Sequence, residues 1–131
     1  MNAESTDAED ELSPYDLMGG AETVRAIVDR FYDIMDTDPA AAAIRAMHGP
    51  DLGPMRDRLF DFMSGWLGGP RLYHGCVVGA HRRFAIGIAE RDQWLMCMSR
   101  ALEDASVDST AREILAKPMY AIADIMRNDR A

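Results

Sequence analysis

The chain has 131 residues, 48% of them apolar, and a formal net charge of −8. That is the size and composition of one ordinary globular domain, and no uninterrupted apolar stretch approaches the ~20 residues a membrane helix needs. An acidic balance of this kind argues against nucleic acid as a partner, because phosphate binding needs a basic face.

Met1 to Ser13 holds Glu4, Asp7, Glu9, Asp10 and Glu11 with no basic residue and no apolar run. Residues 1–13 therefore read as a disordered acidic tail and not as a targeting peptide. The tail carries five of the eight net negative charges, and residues 14–131 are expected to form one domain. Ala21 to Asp36 sets Val24, Ile27, Val28, Phe31, Tyr32 and Met35 at steps of three and four, one face of a helix that starts from Gly19-Gly20. Asp38-Pro39 predicts an N-cap and first-turn proline for a short alanine-rich helix, which Gly49-Pro50 ends. Leu52 to Trp66 keeps helical spacing through Met55, Leu59, Phe62 and Met63, and Gly68-Gly69-Pro70 stops it.

Residues 71–80 lack a clear period. Cys76-Val77-Val78 and the alternation Phe84, Ile86, Ile88 look strand-like, but a hairpin with no other strands is marginal in water. The segment is expected to be irregular, with room for one helical turn. Ala89 to Ala105 recovers the helical period through Trp94, Leu95, Met98, Ala101 and Leu102. Thr110-x-x-Glu113 predicts a capping box for a last helix ending near Asn128, which Pro118 should kink or break. The pattern is all-α, and periodicity alone leaves a four-helix bundle and a globin-like arrangement equally open.

The chain has three histidines, His48, His74 and His81, and no two lie three or four residues apart. A helical zinc motif and a di-iron carboxylate bundle are thereby unsupported. The Gly-x-Ser-x-Gly elbow and the phosphate-cradling Gly-x-x-x-x-Gly-Lys loop are absent too. Cys76 and Cys97 are too few for a disulfide framework and form no Cys-x-x-Cys-His haem-attachment run, so a reducing cytoplasm fits best. What remains is one histidine in an irregular stretch between two amphipathic helices, with aromatic residues concentrated around it. Haem iron asks for one neutral imidazole and a mostly apolar, water-poor pocket. His81 is the candidate metal ligand, with the small Gly79-Ala80 before it and Phe84 three residues later to wall the pocket. Phe62 and Trp66 read as ordinary core.

Three blocks carry a family resemblance: Arg30-Phe31-Tyr32, Gly65-Trp66-Leu67-Gly68-Gly69-Pro70, and Glu90-Arg91-Asp92-Gln93-Trp94-Leu95-x-Cys97-Met98. In order and spacing they resemble the group II truncated haemoglobins, over about Pro14 to Asn128. The resemblance implies a truncated globin, a two-over-two helical sandwich around haem b. It implies His81 as the proximal ligand, and Tyr32 and Trp94 as the distal donors to a bound gas and the catalytic pair for any turnover. His48 falls near the ligand, Met55 and Leu59 lie on the helix face over the distal side, and Arg58 matches a residue that reaches a haem propionate. Family members usually carry a Gly-His-Pro-x-Leu-Arg-x-Arg-His-x-Pro-Phe run before the Glu-Arg-Asp block. Here the interval from Tyr73 to His81 is shorter, and Arg83 stands where that run has proline. Arg82 or Arg83 is then left to take over the proximal propionate contact, and His74 becomes a rival ligand.

The implied function is binding of dioxygen, nitric oxide, carbon monoxide or peroxide at ferrous haem. Two charge-assisted hydrogen bonds of ~1.5–3 kcal/mol each would slow ligand escape. Redox or detoxification chemistry, of nitric oxide dioxygenase or peroxidase-like type, is therefore preferred to bulk oxygen transport. No flavin or nicotinamide motif is present, so electrons must come from an external reductase. Neither nucleic acid nor a membrane is expected as a partner, and a homodimer is left open. The alternative is a globin-fold sensor or protein-interaction module with altered or lost haem binding.

Overall fold

The structure is a computed structural model and describes residues 12–129. The expected acidic tail, apart from Leu12 and Ser13, lies outside the described residues. Ser13 caps a short helix that the periodicity did not predict, α1 (Pro14–Leu17), by accepting the Asp16 N–H on its hydroxyl. The chain then turns through Gly19 and Gly20, whose φ angles of 117° and 73° suit glycine and strain other residues. It leaves the turn as α2 (Gly20–Thr37), and the predicted apolar face is the buried one: Val24, Ile27, Val28, Phe31, Tyr32, Ile34 and Met35. Burying side chains of this kind is worth roughly 1.5–3 kcal/mol each, which makes α2 the spine of the molecule.

Asp38 caps the next element as expected, its carboxylate accepting from Ala40 N at 2.9 Å. A 3-10 turn (Pro39–Ala41) leads into α3 (Ala42–Ala46). After the Gly49-Pro50 break comes α4 (Gly53–Trp66). The irregular stretch contains one short helix, α5 (Val77–His81), whose N-cap is Cys76. Two long helices follow, α6 (Ile88–Asp104) and α7 (Ser109–Ile125). No strand occurs among the described residues. α2 packs chiefly on α6 and α4, and α6 also packs on α7.

Two details at α7 differ from the sequence reading. The cap is Asp108, whose carboxylate accepts from Thr110 N at 3.0 Å, so Thr110 is a donor inside the first turn and not the cap. The helix also runs unbroken through Pro118. Pro118 lies on the exposed face, as does Ile114 one turn earlier, so water can satisfy the carbonyl that the missing N–H abandons.

Candidate functional site

His81 ends α5, and its Nδ1 lies 2.7 Å from the carbonyl oxygen of Val77, four residues back. A carbonyl only accepts, so Nδ1 is the donor in this contact, and the tautomer it selects keeps the Nε2 lone pair free. This is how a protein fixes the tautomer and aim of an imidazole that ligates a metal. The segment after His81 is pinned from α7. Asn128 Oδ1 accepts from Ile86 N at 2.9 Å, and Asn128 N donates to Ile86 O at 3.0 Å. Phe84 is half-buried beneath this tie, with the Arg83 guanidinium 4.9 Å from its ring centre.

His48 follows α3 and is built the same way, with Nδ1 2.7 Å from Ile44 O. Arg45 holds the turn around it, donating to Gly49 O at 3.0 Å and pairing with Asp36 at 2.8 Å. Burial pushes the His48 pKa down, and the nearby charges of Arg45 and His81 add to the shift against the opposing pull of the Ile44 carbonyl.

The ring of Tyr32 meets that of His48 edge-on at 5.9 Å and that of Phe31 at 4.9 Å. Trp94, on α6, lies 5.3 Å from Phe31. Tyr32 is only 5% exposed, and burial raises its pKa far above the ordinary phenol value, opposed in part by Arg56. Its hydroxyl has no protein partner among the described residues, yet no buried side-chain oxygen or nitrogen there is left unsatisfied. The hydroxyl therefore keeps some accessible surface, as does the Trp94 indole nitrogen, which also has no protein partner among the described residues.

Met55 and Leu59 are half-buried on α4 against the core margin, while Arg58 between them is exposed and makes no ion pair among the described residues. Phe62 and Trp66 also pack against the core margin. With Arg71, Tyr73 and Val77 they line a cavity of about 260 Å³ between the end of α4 and the start of α5. His74 is exposed in the preceding loop. The structure thus sets Tyr32 against His48, places Phe31 between Tyr32 and Trp94, and orients His81 on α5. It leaves His74 outside in solvent.

Arg56 was not foreseen. It pairs with Asp33 at 2.8 Å and Asp29 at 3.4 Å, and its guanidinium lies 5.8 Å from the Tyr32 ring centre. The two aspartates share the Tyr32 helix, one on each side of the tyrosine, and that i, i+4 pairing was the available signal. The role of Val77 was equally readable, as the residue four before His81.

A family model described as bacterial-like globin matches residues 13–128. The chain is also similar to solved structures. One is the group II two-on-two haemoglobin of Agrobacterium tumefaciens, at 39% identity and TM-score 0.85, covering 90% of this chain and 95% of that one. Another is the cold-adapted truncated haemoglobin of Pseudoalteromonas haloplanktis, at 37% identity and TM-score 0.86, covering 91% and 100%. A third is the haemoglobin of Chloroflexus aurantiacus, at 35% identity and TM-score 0.81, covering 90% and 99%. This chain is a group II truncated haemoglobin.

The two-over-two globin fold expected from the sequence is therefore the fold of the chain. Globins are haem proteins, and the residues of this globin suit haem iron: an oriented imidazole with a free Nε2, two unpartnered donors on neighbouring helices, and an uncommitted arginine on α4. Among the described residues no cluster of three or more His, Cys, Asp or Glu offers a rival metal site. No described helix is long and apolar enough to cross a membrane.

Proposed function

We propose that this globin holds haem b through His81 Nε2 and takes a diatomic gas or peroxide on the side of Tyr32, Trp94 and His48. The observation that carries the reading is the Nδ1 contact of His81 with Val77 O, which leaves Nε2 as the one free donor atom of an oriented ring. Haem iron, when bound, supplies ligand binding and one-electron chemistry. The chain supplies the rest. Tyr32 stays protonated at neutral pH because burial disfavours the phenolate, so its O–H is a standing donor toward charge developing on a ligand. Trp94 N–H is a second donor, and indole nitrogen can only donate. His48, kept neutral by burial, offers Nε2 as an acceptor or, through a water, a proton relay. Met55, Leu59 and Phe84 supply apolar walls that exclude water. Arg58, with Arg82 or Arg83, supplies positive charge for the propionates.

Donors of this strength favour retention, so the proposed role is redox handling or detoxification of dioxygen, nitric oxide or peroxide, with electrons from an external reductase and the protein in the cytoplasm. Hemin titration tests the cofactor. Saturable one-to-one binding with a Soret band is the expected result, and its absence would sink the reading. His81→Gly should lose stable haem and regain it with added imidazole, while His74→Ala and His48→Ala keep it. Loss in His74→Ala with retention in His81→Gly would reverse the ligand assignment.

A further inference from the structure

The described arginines before residue 58 and after residue 83 each pair with an aspartate or glutamate. Arg58, Arg71, Arg82 and Arg83 pair with none among the described residues, and all four are exposed. The sequence between them is equally unusual. From Phe62 to Ala89 there is no Asp or Glu at all, in a chain of net charge −8. Arg71 is also linked to Arg82 and Arg83 through one cavity and one helical turn. Arg71 and Val77 line one cavity, the Val77 carbonyl holds the His81 ring, and Arg82 and Arg83 follow directly. Asp61 is the only carboxylate in the lining of that cavity. If propionates take Arg58 and one of Arg82 or Arg83, the face keeps a net positive charge beside the proximal histidine.

We propose that the face of Arg71, Arg82 and Arg83 is the docking surface for an acidic electron-donor protein, a flavin or iron–sulfur carrier with carboxylates around its own redox centre. The proposal rests on the haem reading above. A local basic patch on an acidic protein does two things: the rest of the surface repels an acidic partner, and the patch alone attracts it, which fixes both where it lands and how fast. The patch adjoins the turn that carries His81, so a carrier docked there would stand beside the residue proposed to hold the iron. One electron passes from the reduced carrier to ferric iron, which becomes ferrous, and no bond is made or broken. A polyanion such as RNA suits this face less well, because it needs a wide basic footprint and would meet the acidic remainder of the chain.

The test is stopped-flow reduction of the hemin-loaded protein by reduced flavodoxin, used as the acidic donor probe, with rates taken per haem. The second-order rate should fall about tenfold between about 20 and 300 mM salt. At low salt Arg71→Glu should slow it about threefold or more, and Arg71→Glu with Arg82→Glu about tenfold. Arg71→Glu should leave the Soret band and dithionite reduction unchanged, and Lys117→Glu on α7 should leave the flavodoxin rate unchanged. A rate independent of salt, an unaffected Arg71→Glu, or an equal loss in Lys117→Glu would overturn the proposal. So would salt-sensitive binding of an RNA oligomer to this face tighter than that of flavodoxin. A missing Soret band would instead remove the haem reading, and the proposal with it.

Discussion

Tyr32 sits under two opposed influences: burial favours the neutral phenol, and the Arg56 charge favours the phenolate. Burial is the larger, so the hydroxyl remains a donor at neutral pH. The hydroxyl has no protein partner among the described residues, and a hydroxyl that touches a ligand should control how long the ligand stays. Tyr32→Phe and Trp94→Phe are each expected to speed dioxygen release from the reduced holoprotein by about tenfold or more. The double variant should be non-additive, since both donors serve one small ligand. Stopped-flow release decides it, and unchanged rates in both single variants would show that neither group reaches the ligand. At this scale the sequence was informative wherever a residue's phase on a helix settled its direction, as for Tyr32. Arg56 escaped because the Asp29 and Asp33 spacing marks a site for a cation, while which cation fills it is set only once α4 is laid against α2.

Among the elements, the long amphipathic helices were legible because period and burial agree: the α2 stripe written in the sequence is the stripe the fold hides. Of the short elements, α3 announced itself by its Asp38-Pro39 start and α5 only as room for one turn, whereas α1 went unpredicted, because its stability comes from what it touches. α1 exists through contacts distant in sequence. Tyr15 N donates to Leu67 O at 3.0 Å, and the Tyr15 ring covers Gly69 so closely that a Cβ there would lie 2.5 Å from it. α5 is likewise one turn with a weak thiol cap, held by its surroundings and not by propensity. This gives a specific expectation for the turn after α4. Gly69→Ala should destabilise the protein by about 1–3 kcal/mol in denaturant titration, the usual cost of forced overpacking. Adding Tyr15→Ala should make the alanine at position 69 cost far less than it does alone. Strictly additive losses would mean that the ring moves aside freely and that α1 is not fastened there.

The whole molecule divides into a core that is complete without any cofactor and a margin that is not. Phe31, Ile27, Met35 and Met98 are almost fully buried where α2 and α6 meet, whereas Met55, Leu59, Phe62, Trp66 and Trp94 are only half-buried against that core. A flat apolar group lying along this margin would bury what is left exposed and would tie α5 to the rest through His81. Two consequences follow for the protein with and without hemin. Ligand that binds only the folded state stabilises it by RT ln(1 + [L]/Kd), roughly 4 kcal/mol at a thousandfold excess over Kd, so the melting temperature should climb with free hemin concentration. The gain should also be local. Amide exchange in the apoprotein should be slow in α2 and α6 and fast in α5 and the loop before it, and hemin should slow chiefly the latter. A melting temperature indifferent to hemin, or protection spread evenly over all helices, would mean that the α4 and α5 side is already as complete as the core behind α2.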